Sequence, residues 1–180
     1  MSSRRLDRLS DLFFAVGDAI IALDLGVKVG NYNAFAGEVV GDGTILIEIE
    51  GTRRVARSAE GRMGHRVRVT LHAVVGGWRE YADLEAANLA AVLQDLVDDS
   101  RWGLPGRQCS IPEEMTTGPS MYSEGRAGYE AWCVSFWQTI YLGPSLVEED
   151  PVVAGMPQVA YSWQVPSIND PGNYQPVGVA

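Results

Sequence analysis

The chain has 180 residues, with 14 Lys and Arg against 23 Asp and Glu, for a formal net charge of −9 and a pI of about 4.6. That length suits one domain with an appendage and suffices to bury roughly 70% of the surface the unfolded chain exposes. The excess of acid speaks against general nucleic-acid binding as the main task. The opening MSSRRLDRLS is charged and the apolar stretch after it is broken by Asp18 and Asp24, so no signal peptide is expected. No apolar run approaches the ~20 residues that cross a bilayer, and a soluble, unexported protein without a membrane partner is the expectation.

Leu6, Leu9, Phe13, Val16, Ile20 and Leu23 recur at steps of three and four, the stripe of an amphipathic helix. Ser2 or Ser3 can cap its start and Gly26 can stop it. In GDGTILIEIEG, the Asp42-Gly43 turn signal precedes Ile45, Ile47 and Ile49 alternating with Glu48 and Glu50, the period-2 pattern of a strand with one wet face. GHRVRVTLHAVV repeats it, with Val67, Val69, Leu71 and Ala73 inward and Arg66, Arg68, Thr70 and His72 outward. Between the two strands, GTRRVARSAEGRMG is either a long hairpin tip or a loop that orders on a partner.

DLEAANLAAVLQDLVDD is built from strong helix formers, with Asp83 as a cap and Ala82, Ala86, Leu89, Val92, Leu93 and Leu96 on one side. From Gly103 to Gly128 one short strand is expected, at Gln108 to Ile111. YEAWCVSFWQTIYLG reads as the longest strand, with Trp132, Val134, Phe136, Ile140 and Leu142 on one face and Tyr129, Cys133, Trp137 and Tyr141 on the other. The order gives an α+β fold, a mainly antiparallel sheet with two helices packed on one face, over residues 1–142. The second sheet face, with Trp137 and Tyr141, has no partner within the chain. Residues 143–180 hold six of the nine prolines and no Lys or Arg, yet carry Tyr161, Trp163 and Tyr174. They are expected to form an extended C-terminal arm whose rings need a partner surface.

No GxSxG, Walker loop, HExxH or paired CxxC is present, so an enzyme is not expected, and neither cofactor nor metal is called for. His65 and His72 are seven apart on one strand, on opposite faces, and are expected at a surface or edge. Cys109 and Cys133 are expected as buried thiols rather than a disulfide. A hydrolase using Glu113, Glu114 or Asp42 with a histidine is disfavoured because those carboxylates sit in loops that look wet. Thirteen of the fourteen basic residues precede Ser110, and six arginines fall between Arg53 and Arg68. After Arg126 come Glu130, Glu148, Glu149, Asp150 and Asp170 with no Lys or Arg. The cluster around Arg53, Arg54, Arg57 and Arg62 is a solvated hairpin or an electrostatic contact, and the acidic second half of the chain suggests head-to-tail pairing between copies.

The leading amphipathic helix, the ILIEIE strand, the Arg-rich loop into HRVRVTLHAVV, the LEAANLAAVLQDLV helix, the closing AWCVSFWQTIYLG strand and the ending YSWQVPSINDPGNYQPV together resemble the tail terminator proteins of tailed bacteriophages, particularly those of Mu-like contractile tails. The resemblance spans most of the chain without a single invariant motif. It implies a virion protein, made in the host cytoplasm, that forms a ring of six copies on the last ring of tail tube protein. That ring would stop tube polymerisation and offer a docking surface to the head-tail connector or neck protein. DNA would pass through the ring without sequence-specific contact. The long arm leaves open whether it stays within the ring or reaches a tail sheath or neck protein. Another head-tail connector or a baseplate adaptor would share the composition.

Overall fold

In the computed structural model the described residues are 5–36, 41, 43–123, 128–147, 160–161 and 175–176. The chain divides into two compact units, Met1–Val147 and Glu148–Ala180.

The first unit opens with α1, Leu9–Ile21. It begins later than Ser2 or Ser3 because Asp11 supplies the cap: its carboxylate accepts from the backbone N–H of Asp7 at 2.9 Å and of Arg8 at 2.8 Å. Leu6 therefore lies ahead of the helix, yet it is fully buried, its carbonyl held by Gln108 Nε2 at 2.8 Å. Leu12, Ala15, Val16 and Ile20 form the buried face, while Leu23 falls beyond the helix and is exposed. The chain turns away at Asp24 (φ 50°) and Gly26 (φ 69°), both left-handed.

Five strands follow: β1 Lys28–Asn31, β2 Thr44–Val55, β3 Met63–Gly76, β4 Glu113–Ser123 and β5 Tyr129–Leu142, with a 3-10 turn at Tyr32–Ala34 and α2 at Ala82–Val97. The sheet order is β1-β2-β3-β5-β4. β1 runs parallel to β2 and the other neighbours are antiparallel. The architecture is thus α+β with a mainly antiparallel sheet. β3 and β5 pair without a break from Met63↔Leu142 to Gly76↔Tyr129. Both helices pack on one face, where Ile45, Ile47, Val67, Val69, Leu71, Ala73, Val134, Phe136 and Ile140 meet Leu12, Val16 and Ile20 of α1 and Ala90, Leu93 and Val97 of α2. Cutting Phe136 back to alanine would remove the largest fully buried side chain among the described residues, a change that costs about 3–5 kcal/mol in such cores.

Several local expectations change. α2 starts from Tyr81, with Asp83 in its first turn beside Glu85. Its buried line runs through Ala82, Ala86, Ala90, Leu93 and Val97 and leaves Val92 exposed. The expected strand at Gln108 to Ile111 is a single bridge, Cys109↔Ile140, and the strand of that region is β4 instead. The Arg-rich stretch is a hairpin: β2 runs to Val55, β3 starts at Met63, and the tip closes through Ser58 N–H to the Arg62 carbonyl (3.1 Å).

Gln138, fully buried on β5, ties the α2–β4 connection to the sheet. Trp102 Nε1 donates to its Oε1 at 2.7 Å, and its Nε2 donates to the carbonyls of Ser100 (3.1 Å) and Ser110 (2.8 Å). These bonds and near-complete burial hold Trp102 at φ 55°, a conformation that costs a bulky residue on the order of 1–2 kcal/mol. Cys109 and Cys133 are free thiols, the first buried and the second half-buried. The first unit extends past Leu142, because Gly143 N–H bonds the Leu6 carbonyl (3.3 Å) and Leu146 N–H bonds the Glu60 carbonyl (2.8 Å).

In the second unit, β6 (Ala160–Tyr161) pairs antiparallel with β7 (Gln175–Pro176), Tyr161 opposite Gln175. Trp163 and Tyr174 lie outside the described residues. No helix among the described residues is long and apolar enough to cross a membrane.

Candidate partner interface

The sheet face away from the helices is decided by strand alternation and register. β2 and β3 slip at a bulge between Ile49 and Gly51, after which Arg53 stands opposite Arg66. Arg68 stands opposite Trp137 across the β3–β5 ladder. Arg53, Arg66 and Arg68 therefore share the face of Trp137, and their guanidiniums lie 5.0, 5.3 and 6.0 Å from its ring centroid. Two arginines directly opposite one another repel. The indole offsets this by cation–π attraction, about 0.5–1 kcal/mol per exposed pair.

Carboxylates from neighbouring strands complete the arrangement. Glu50 Oε2 pairs with Arg68 Nε at 3.1 Å. Arg66 Nη2 is held by Glu113 at 3.0 Å and Glu114 at 2.8 Å, with Glu114 in the left-handed region (φ 52°) at a β4 bulge. Glu113 and Glu114, weighed from the sequence as loop carboxylates, are thus strand residues that neutralise Arg66. The Arg66 Nε is buried and has no hydrogen-bond acceptor among the described residues.

The arginine cluster divides in two. Arg62 is spent inside the chain: its Nε pairs with Glu60 at 2.8 Å and its Nη1 donates to the Gly143 carbonyl. Glu60 also receives Arg107 Nη1 at 3.1 Å. The hydrogen bond from Arg62 leads in holding the Glu60 carboxyl below its ordinary range. Arg57 donates to the Gly61 carbonyl at 2.6 Å and closes the tip, and Arg54 reaches only the Met63 sulfur at 3.7 Å. Arg53, Arg54 and Arg57 have no carboxylate partner among the described residues.

The second face is less bare than the sequence suggests. Trp137 is half-buried under its arginines, and Tyr141 is half-buried beside Gly64 in register. At the opposite end, Tyr32, Phe35, Met121 and Tyr129 cover Leu46, Val74 and Ala131, and a hollow of about 470 Å³ opens beside Tyr32, Asn33 and Phe35. His72, expected at a surface or edge, is buried on the central strand instead. Its Nε2 lies 3.0 Å from Glu48, its Nδ1 3.2 Å from Ser120 Oγ, and Tyr32 stacks on its ring at 4.6 Å. Thr70 bridges to Glu50 and to Ser135 Oγ, the latter at 2.7 Å. Polar groups that alternation assigns to water are satisfied by one another along the sheet.

Of the residues expected at an interface, the structure brings Arg53 and Trp137 together, places Tyr141 on the same face, keeps Arg54 and Arg57 at the hairpin, and turns Arg62 inward. Arg66 and Arg68 were passed over as an ordinary outward face; the signal that finds them is their register with Trp137, which alternation alone does not give. Tyr161 is described in its backbone only, and the run Glu148 to Asp150 and Asp42 lie outside the described residues. Among the described residues no group of three or more His, Cys, Asp or Glu is placed to hold a metal. No protein-family profile matches the chain, and no curated protein matches it significantly.

Proposed function

We propose that the chain is a structural subunit of a phage tail, a tail terminator that assembles as a ring of six copies, caps the tail tube and receives the head connector. The observation that carries this reading is the meeting of the exposed Arg53 of the β2–β3 hairpin with the half-buried Trp137 of β5. An indole overlaid by guanidiniums, beside cations with no carboxylate partner among the described residues, has the composition of an interface centre, where Trp and Arg are enriched. The acidic second half of the sequence supplies the opposite charge, and a positive patch with a negative partner on one chain suits head-to-tail contacts that close into a ring. The order of elements, with a ring-sized α+β unit ahead of an aromatic, proline-rich ending, supports the same reading.

Two experiments test it. Light scattering of the purified chain, with images of particles assembled from a labelled chain, should give a closed ring at the head-proximal end of the tail. A strict monomer at high concentration together with a non-ring position in the particle would overturn the proposal. A ring found at another neck or baseplate level would keep the subunit and change its place in the tail.

A further inference from the structure

Among the described residues, the outer edge of β2 is open beyond Ile47. β1 covers it only from Thr44 to Ile47, and beyond that no described strand pairs with it. Gly51, Thr52, Arg53 and Arg54 are all exposed. Such an edge presents a row of backbone donors and acceptors, a template for strand addition. The same stretch carries Arg53 and Arg54, and the tip beyond it Arg57, none with a carboxylate among the described residues. The Arg53 guanidinium reaches across β3 to lie over the Trp137 ring of β5, while its backbone stays on the edge strand.

From the open edge and these cations we infer that residues 48–55 of β2 receive an acidic, extended segment of a second copy, added as a strand, with its carboxylates meeting Arg53 and Arg54. This deepens the ring reading and rests on it. A neutral strand would use the backbone edge but leave the guanidiniums uncompensated, whereas a folded acidic surface would meet the guanidiniums and leave the edge unused. The sequence supplies a segment that does both. Glu148, Glu149 and Asp150 stand between Leu146-Val147 and Pro151-Val152-Val153, with no Lys or Arg anywhere after Arg126. Its proline is compatible with an added outer strand. The rival reading is an edge guarded against pairing, since charges and bulges also serve that end, and a bulge lies between Ile49 and Gly51.

A charge exchange in the full-length chain separates them. Arg53→Glu/Arg54→Glu alone and Glu148→Arg/Glu149→Arg alone should each weaken self-association about tenfold or more in sedimentation, and the four substitutions together should restore it. Amide exchange at Arg53 to Val55 should slow on assembly and recover on dilution. A far-UV spectrum and melt like the parent's certify that each variant folds. Association and exchange unchanged by the arginine reversals, or no restoration in the combined variant, would overturn the inference while leaving any observed ring intact. If the chain does not self-associate, a fluorescein-labelled peptide of residues 145–154 decides. Binding that weakens with salt and vanishes in the Arg53→Glu/Arg54→Glu chain upholds the edge as a receptor although the ring reading fails, and absence of binding overturns both.

Discussion

At the level of single side chains, arginines nine positions apart perform opposite tasks. Arg62→Ala removes a guanidinium whose side chain is only 13% exposed and leaves the Glu60 carboxylate and the Gly143 carbonyl without it, so the urea midpoint should fall clearly below the parent's. Arg53→Ala should leave the melt within ~0.5 kcal/mol and weaken association instead. The pair of melts distinguishes a fold residue from a contact residue. Acid sharpens the comparison. Because Arg62 chiefly holds the Glu60 carboxyl below its ordinary 4.5, the stabilisation is present above that pH and is lost as pH falls through the lower folded value. The gap between parent and Arg62→Ala should therefore narrow on acidification, leaving the part that the Gly143 carbonyl contributes. Burial acts the other way on Cys109, pushing its thiol up to about 12 from 9.0. The neutral thiol is favoured in the fold, so its contribution is intact below pH 9.0 and declines as pH rises from there toward 12. Iodoacetamide at pH 8 should label Cys109 only once urea has unfolded the chain.

Among the elements, β5 is the best test of how the sheet is held. Gln138→Leu keeps the volume of a fully buried residue and strands three groups, the Trp102 indole N–H and the carbonyls of Ser100 and Ser110. With each unpaired buried group costing about 1–3 kcal/mol, a loss of at least about 2 kcal/mol is expected in denaturant melts, with fluorescence of Trp102 shifting before the global transition. β5 itself was legible, because fourteen residues with large apolar groups on both faces allow few other readings. So were α2, β2 and β3, whose periodicities run long enough to fix the type of all three and the facing of the strands, though the buried line of α2 lies to one side of the expected stripe and leaves Val92 exposed. β4 was hidden by Gly118 and Pro119, which argue against a central strand; at an edge, Pro119 meets no ladder that needs its N–H. β1 has only four residues, and its parallel pairing with β2 is a tertiary fact with no local pattern. The interface was half visible. Composition pointed to Arg53 and Trp137 separately, and only the register of three strands puts them in contact. Gly64 shows what such register demands: a Cβ there would lie 2.1 Å from the Ala56 carbonyl, so Gly64→Ala should distort the hairpin tip that carries Arg57 and weaken association.

For the whole molecule, the division at Val147 leads to a further expectation. A chain ending at Met156 should melt like the full-length protein, since the sheet, both helices and the Glu60–Arg62–Gly143 bonds are retained, yet it should fail to assemble or to join heads to tails. Trp163→Ala should reproduce much of that defect if its ring fills a neighbour's pocket, worth on the order of 2 kcal/mol or more. A truncated chain that cannot fold would make residues 157–180 part of the core, and one that assembles normally would remove them from the interface. The unbroken β3–β5 ladder bears on what happens when that ending is pulled. Tension arriving through Val147 meets the Leu146 and Gly143 hydrogen bonds first, and then runs along β5, which is flanked on both sides by antiparallel strands. A load along the strand axis would be shared by the hydrogen bonds of the ladder, which must then slide together rather than open singly. In the tail particle proposed above, a pull along the strand axis would therefore be resisted by the ladder in shear.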